Sequence, residues 1–156
     1  MKRLFLATAL LLSLGVAGRG AESVVTVKAV PPSEGLQPGR ASSLILELTI
    51  REEFHINSDR PLEENLIPTT VTFKEHPGLE FGKPVFPAAP LKKLPVSEKP
   101  MSVYEGSVKI TAEITPAPGF GEKEVTVEGN VRYQACNNKE CLQPRTLDVR
   151  FTADVQ

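Results

Sequence analysis

A two-residue alternation is the feature that most narrows what this chain can fold into. Val125, Val127, Gly129, Val131, Tyr133 and Ala135 alternate with Thr126, Glu128, Asn130, Arg132 and Gln134. Leu147, Val149, Phe151, Ala153 and Val155 repeat the pattern against Asp148, Arg150, Thr152 and Asp154. Val108, Ile110, Ala112 and Ile114 form a third set, and Leu44, Leu46, Leu48 and Ile50 a fourth. A period of two turns one set of side chains to a core and the other to water, which is a half-buried strand. Residues 25–30 read as a fifth strand, with shorter candidates at 54–57, 69–73 and 79–81. No helical period follows the first residues of the chain, and no internal repeat or low-complexity tract is seen.

Turn signals divide the runs at Pro31-Pro32, Pro38-Gly39, Pro77-Gly78 and Pro118-Gly119. Seven to nine short strands at this spacing predict an all-β fold, an antiparallel β-sandwich of immunoglobulin-like kind. A closed barrel is the alternative. One segment does not alternate: residues 83–101 carry five of the chain's 14 prolines. Proline breaks ladders and holds the residue before it extended, so this stretch is expected to be a loop or an edge. A loop of that length in a small domain commonly covers or binds something; the other reading is a mobile connection.

The N-terminus has a different grammar. Lys2 and Arg3 precede an apolar run over residues 4–16, too short to span a bilayer comfortably, and small residues follow at Ala17 and Gly18. That is the layout of a secretory signal peptide over residues 1–17, with a membrane anchor as the rival. The remainder, residues 18–156, suits one domain with its own core. No later stretch is apolar enough to insert in a membrane, so the mature chain is expected to be soluble and exported, in a bacterial periplasm. Loss of Lys2 and Arg3 moves the formal charge from −1 to −3. So mild a charge, with no basic stripe, argues against a nucleic-acid or acidic-membrane partner.

The only two cysteines, Cys136 and Cys141, flank the tetrapeptide Asn-Asn-Lys-Glu. The alternation runs one strand into Cys136 and starts another after Cys141. Asn137 and Asn138 tolerate the backbone of a tight turn. Across such a turn the sulfurs can bond, and an oxidising compartment permits it. Three readings stay open. As a staple the pair is weak: closing about six residues removes roughly 2 kcal/mol of unfolded-state entropy, against over about 4 for a loop of about a hundred. As half of a zinc or copper site it lacks a second close pair, because His55 and His76 lie far apart in sequence. As a thiol–disulfide exchange centre it needs one reachable sulfur able to become a thiolate. Lys139 would favour that thiolate and Glu140 would oppose it.

Longer blocks narrow the choice. "GNVRYQACNNKECLQP" (residues 129–144) resembles the signature of the N-terminal periplasmic domain of the DsbD thiol:disulfide interchange family. "FHINSDRPLEENLIPTTVTF" (54–73) resembles that family's upstream block, and "SVYEGSVKI" (102–110) the stretch after its cap loop. The resemblance covers essentially all of the mature chain. It implies an immunoglobulin-like sandwich whose cysteines form a reversible disulfide, needing neither organic cofactor nor metal. By position, Cys141 corresponds to the cysteine that joins partners and Cys136 to the buried resolving one. Tyr133 is expected to pack beneath the pair. Val103 and Tyr104, in a cap formed by the Pro-rich segment through about Gly106, are expected to shield it. The implied partners are thioredoxin-like proteins as donor and acceptor. The family's membrane and thioredoxin-like domains have no counterpart before Gln156, so reducing power is expected from a separate protein, a membrane electron transporter being one source. Some family members carry one more residue between their cysteines. The rival function is a binding module whose hairpin disulfide is only structural.

Overall fold

The alternating runs become the longest strands. The computed structural model describes residues 23–156, so the expected signal segment lies outside the described residues. Eleven strands follow in order: β1 (Val25–Val30), β2 (Ser42–Ile50), β3 (His55–Asn57), β4 (Thr70–Phe73), β5 (Leu79–Phe81), β6 (Leu91–Lys92), β7 (Met101–Tyr104), β8 (Ser107–Pro116), β9 (Glu124–Tyr133), β10 (Ala135–Cys136) and β11 (Arg145–Asp154). No helix occurs among the described residues. Every pairing between these strands is antiparallel. The fold is the all-β, immunoglobulin-like sandwich that the alternation predicts.

One sheet has the order β1-β2-β8-β5, a second β11-β9-β4 and a third β10-β3-β7-β6. Leu44, Leu46 and Leu48 stand opposite Ala112, Ile110 and Val108. From the second sheet Val125, Val127, Val131, Val149 and Ala153 join the same core. Each fully buried aliphatic side chain contributes about 1.5–3 kcal/mol from leaving water, and β-branched residues suit the pleat. The third sheet joins this core through Ile56, Tyr104 and Ala135.

One expectation is corrected. The alternation over residues 125–135 reads as one strand, but the ladder divides at Gln134. β9 pairs with β11 and β4, whereas β10 pairs with β3. The chain thus changes sheets one residue before the cysteine hairpin. The Pro-rich stretch is loop and sheet edge, as expected, with β6 as the edge strand of the third sheet. Leu91 and Lys92 pair with Ser102 and Met101, and Tyr104 and Val103 pair with Ile56 and Asn57. Met101, Ser102, Val103 and Tyr104 are all buried. Covered on both faces, they show no polar alternation, which is why the pattern misses them.

Candidate functional site

Cys136 and Cys141 are bonded, with Cα atoms 3.9 Å apart. They form an isolated antiparallel bridge that closes the hairpin. The turn has its own scaffold. The Asn137 side-chain oxygen accepts hydrogen bonds from the backbone amides of Lys139 (2.8 Å) and Glu140 (2.9 Å). The Asn137 amide donates to the Glu140 carbonyl at 2.9 Å, and the Leu142 amide to the Ala135 carbonyl at 2.8 Å. Asparagine is suited to this because its short side chain mimics a backbone turn.

Gln134, where the chain changes sheets, ties the hairpin to its surroundings. Its Nε2 donates to the Leu142 carbonyl at 3.2 Å, and its Oε1 accepts from Asn57 Nδ2 at 3.4 Å. Asn57 Nδ2 also donates to the Ile67 carbonyl at 2.9 Å. The hairpin is therefore held by both side-chain and main-chain bonds on the β3 side.

The two sulfurs live in different environments. Cys136 has no exposed surface, whereas Cys141 is exposed, as are Asn138, Lys139 and Glu140. The cause is strand pairing. Cys136 lies within β10 against His55 of β3, and Cys141 follows the turn, outside any sheet.

Tyr133 is 1% exposed and belongs to the same core as Ala135. Val103 and Tyr104, expected in a shielding loop, lie instead in buried β7, separated from β10 by β3. Directly opposed residues share a sheet face, and so do alternate residues of one strand. Val103, Asn57, His55 and Cys136 therefore line one face, and Tyr104, Ile56 and Ala135 the other. The Tyr104 hydroxyl lies 2.8 Å from Asp59 Oδ1 and 2.9 Å from the Pro87 carbonyl oxygen. Burial first, then the Asp59 hydrogen bond and charge, push its ionisation well above the usual phenol range.

His55 was not legible as part of the site. It reads from sequence as a half-buried strand residue, but it is 2% exposed and stands opposite Cys136. Desolvation holds its imidazolium below the usual range; Glu105 opposes that shift and Lys92 adds to it. His76, its fellow in the metal alternative, sits elsewhere, in the turn before β5 against the Phe120 ring. Among the described residues no three His, Cys, Asp or Glu side chains gather as metal ligands. A cleft of about 380 Å³ opens beside the hairpin, lined by His55, Leu94, Glu105, Gly106 and Asn138 among others.

The sequence matches the family model for the thiol:disulfide interchange protein DsbD, N-terminal region, over residues 22–153. The chain belongs to the DsbD N-terminal family. No curated protein sequence matches it. Among solved structures it is similar to the N-terminal periplasmic domain of ScsB from Proteus mirabilis, with TM-score 0.51 and 14% identity over 83% of this chain. The chain spans 46% of the length of that protein. The reduced N-terminal domain of Neisseria meningitidis DsbD gives TM-score 0.49 and 12% identity, over 82% of this chain and 85% of that one. The ScsB likeness is one of fold.

Proposed function

We propose that this domain is an exported thiol–disulfide relay working through a reversible Cys136–Cys141 bond. The observation that carries the reading is the asymmetry of the pair: an exposed cysteine bonded to a sealed one, in a family of thiol:disulfide interchange proteins. Exchange requires a sulfur that a partner can reach, and Cys141 supplies it.

In the dithiol form, the Cys141 thiolate attacks a partner disulfide. A mixed disulfide forms and one partner thiolate leaves. Cys136 then loses its proton and attacks the Cys141 sulfur. The Cys136–Cys141 bond re-forms and the second partner thiolate leaves. The partner gains two electrons and this domain is oxidised. A thioredoxin-like protein, itself supplied by a membrane electron transporter, returns the pair to dithiol.

In this reading residues 1–17 are removed on export and residues 18–156 act in the periplasm as one domain. Tyr133 supports the hairpin from the core side, and β7, with Val103 and Tyr104, limits access from the far side of β3.

Trapping tests the proposal. Cys136→Ala should accumulate mixed disulfides with periplasmic proteins through Cys141, and Cys141→Ala should accumulate far fewer. Capture by neither variant would leave the hairpin bond a purely structural one. A reduction potential well below about −300 mV, the range of inert structural bridges, would count against exchange in the same way.

A further inference from the structure

Three buried side-chain polar atoms make no hydrogen bond within the described protein: His55 Nε2, Asn57 Oδ1 and the Tyr133 hydroxyl. Orphaned polar groups are uncommon in folded proteins and call for an explanation. These three are not scattered. His55 and Asn57 occupy β3, the strand paired with β10, and Tyr133 ends β9 just before the chain enters β10.

Of the three, His55 has the closest relation to the chemistry. It stands directly opposite Cys136. Opposed residues of an antiparallel pair hold their Cβ atoms about 5 Å apart on one face, so the imidazole and the sealed sulfur share a face. The exposed Cys141 can lose a proton to water. Cys136, with no exposed surface, needs an acceptor inside the protein whenever the disulfide is open.

We propose that His55 is the proton acceptor for Cys136: its neutral imidazole takes the thiol proton as the Cys136 sulfur attacks the mixed disulfide at Cys141. This rests on the exchange reading above. The bond formed is Cys136–Cys141, the bond broken is Cys141–partner, and the electron pair leaves with the partner thiolate. The proton moves from Cys136 Sγ to His55 Nε2 and is later released to solvent through the cleft that His55 lines with Asn138 and Glu105.

The surroundings keep the imidazole neutral and ready. Burial lowers its proton affinity, and Lys92 of β6 acts in the same direction. Glu105, in the turn before β8, acts against them and is ion-paired to Lys92. Arg51, Glu52 and Glu53, from the turn before β3, face the same cleft. Lys139 and Glu140 lie on the exposed hairpin tip.

A chromogenic aromatic disulfide tests this on the intact reduced protein. Attack by Cys141 releases one coloured thiolate, and resolution by Cys136 releases a second, as separate absorbance phases. With His55 as acceptor, the second phase is nearly independent of pH from about pH 7 to 8, above the ordinary histidine range, where a lowered ionisation leaves the imidazole neutral. In His55→Gln it should slow by about a hundredfold at the acid end and rise about tenfold per pH unit, following the thiolate fraction. The first phase should be unchanged.

A wild-type second phase that itself rises tenfold per unit overturns the proposal, as does a His55→Gln profile that matches wild type. Failure of the first phase in the wild type would instead sink the exchange reading, and this proposal with it. Should His55→Gln not fold, ¹⁵N-histidine spectra of the wild type decide. His55 Nε2 should move toward a hydrogen-bonded acceptor shift on reduction while His76 serves as control, and an unmoved His55 refutes the proposal.

Discussion

Cys136 has no solvent-exposed surface, and Cys141, bonded to it across the hairpin, is exposed. Once the bond is reduced, this difference should appear as a difference in chemical reactivity. Alkylation needs contact between reagent and thiolate. A short pulse of iodoacetamide on the reduced protein should modify Cys141 well before Cys136, read by mass spectrometry of the digested chain. Equal labelling at early times would mean that the hairpin opens on reduction and the asymmetry is lost.

The buried His55 predicts a dependence of stability on pH. Its ionisation is lowered in the folded state, so the unfolded chain binds the proton more readily. Stability then rises with pH where the unfolded state carries more protons. From about pH 7.5 to 5.5, across the ordinary histidine range, Tm should fall as pH falls. In His55→Gln that slope should flatten. An unchanged slope in the variant would assign the effect to other groups.

Tyr104 ties β7 to Asp59 and to the Pro87 carbonyl within the Pro-rich segment. Tyr104→Phe keeps the ring in the core but removes the one hydroxyl proton that the Asp59 carboxylate accepts. A hydrogen bond to a charged acceptor is worth about 1.5–3 kcal/mol, so a loss of roughly that size is expected in urea unfolding. A variant as stable as wild type would show that the hydroxyl does not anchor the segment.

Gly129 offers a test of the second sheet. A Cβ there would meet the Thr72 carbonyl oxygen at 2.6 Å and Phe73 Cδ1 at 3.1 Å. Backbone cannot give way cheaply, and overpacking typically costs about 1–3 kcal/mol. Gly129→Ala should be destabilised by that amount and loosen β4, visible as faster amide exchange over residues 70–73. Gly119→Ala, where a Cβ meets nothing within 4 Å, should be close to neutral. Equal stability of the two variants would refute the close approach of β4 to β9.

How much of this was legible in the sequence depended on how each element is covered. β2, β8, β9 and β11 each have one apolar and one polar face, so their pattern announces them. β7 is buried on both sides and β6 is two residues long among prolines, so neither leaves a period to read. The break at Gln134 was invisible because the side-chain alternation continues through it while the hydrogen-bonding partner changes. The cysteine hairpin is local and could be placed from its spacing. The position of His55 beside Cys136 is a matter of register between distant strands, and nothing near either residue in the chain records it.

The Asn137 side chain and the Leu142-to-Ala135 bond hold the turn through oxygen and nitrogen rather than sulfur. In the proposed exchange, a hairpin braced in this way would keep its shape when the sulfur–sulfur bond is cut. The two thiols then remain neighbours at a high effective concentration. Ring closure becomes an intramolecular event that a second partner molecule, arriving from dilute solution, can seldom outrun. Asn137, which takes no part in the chemistry, would thereby limit the lifetime of the mixed disulfide.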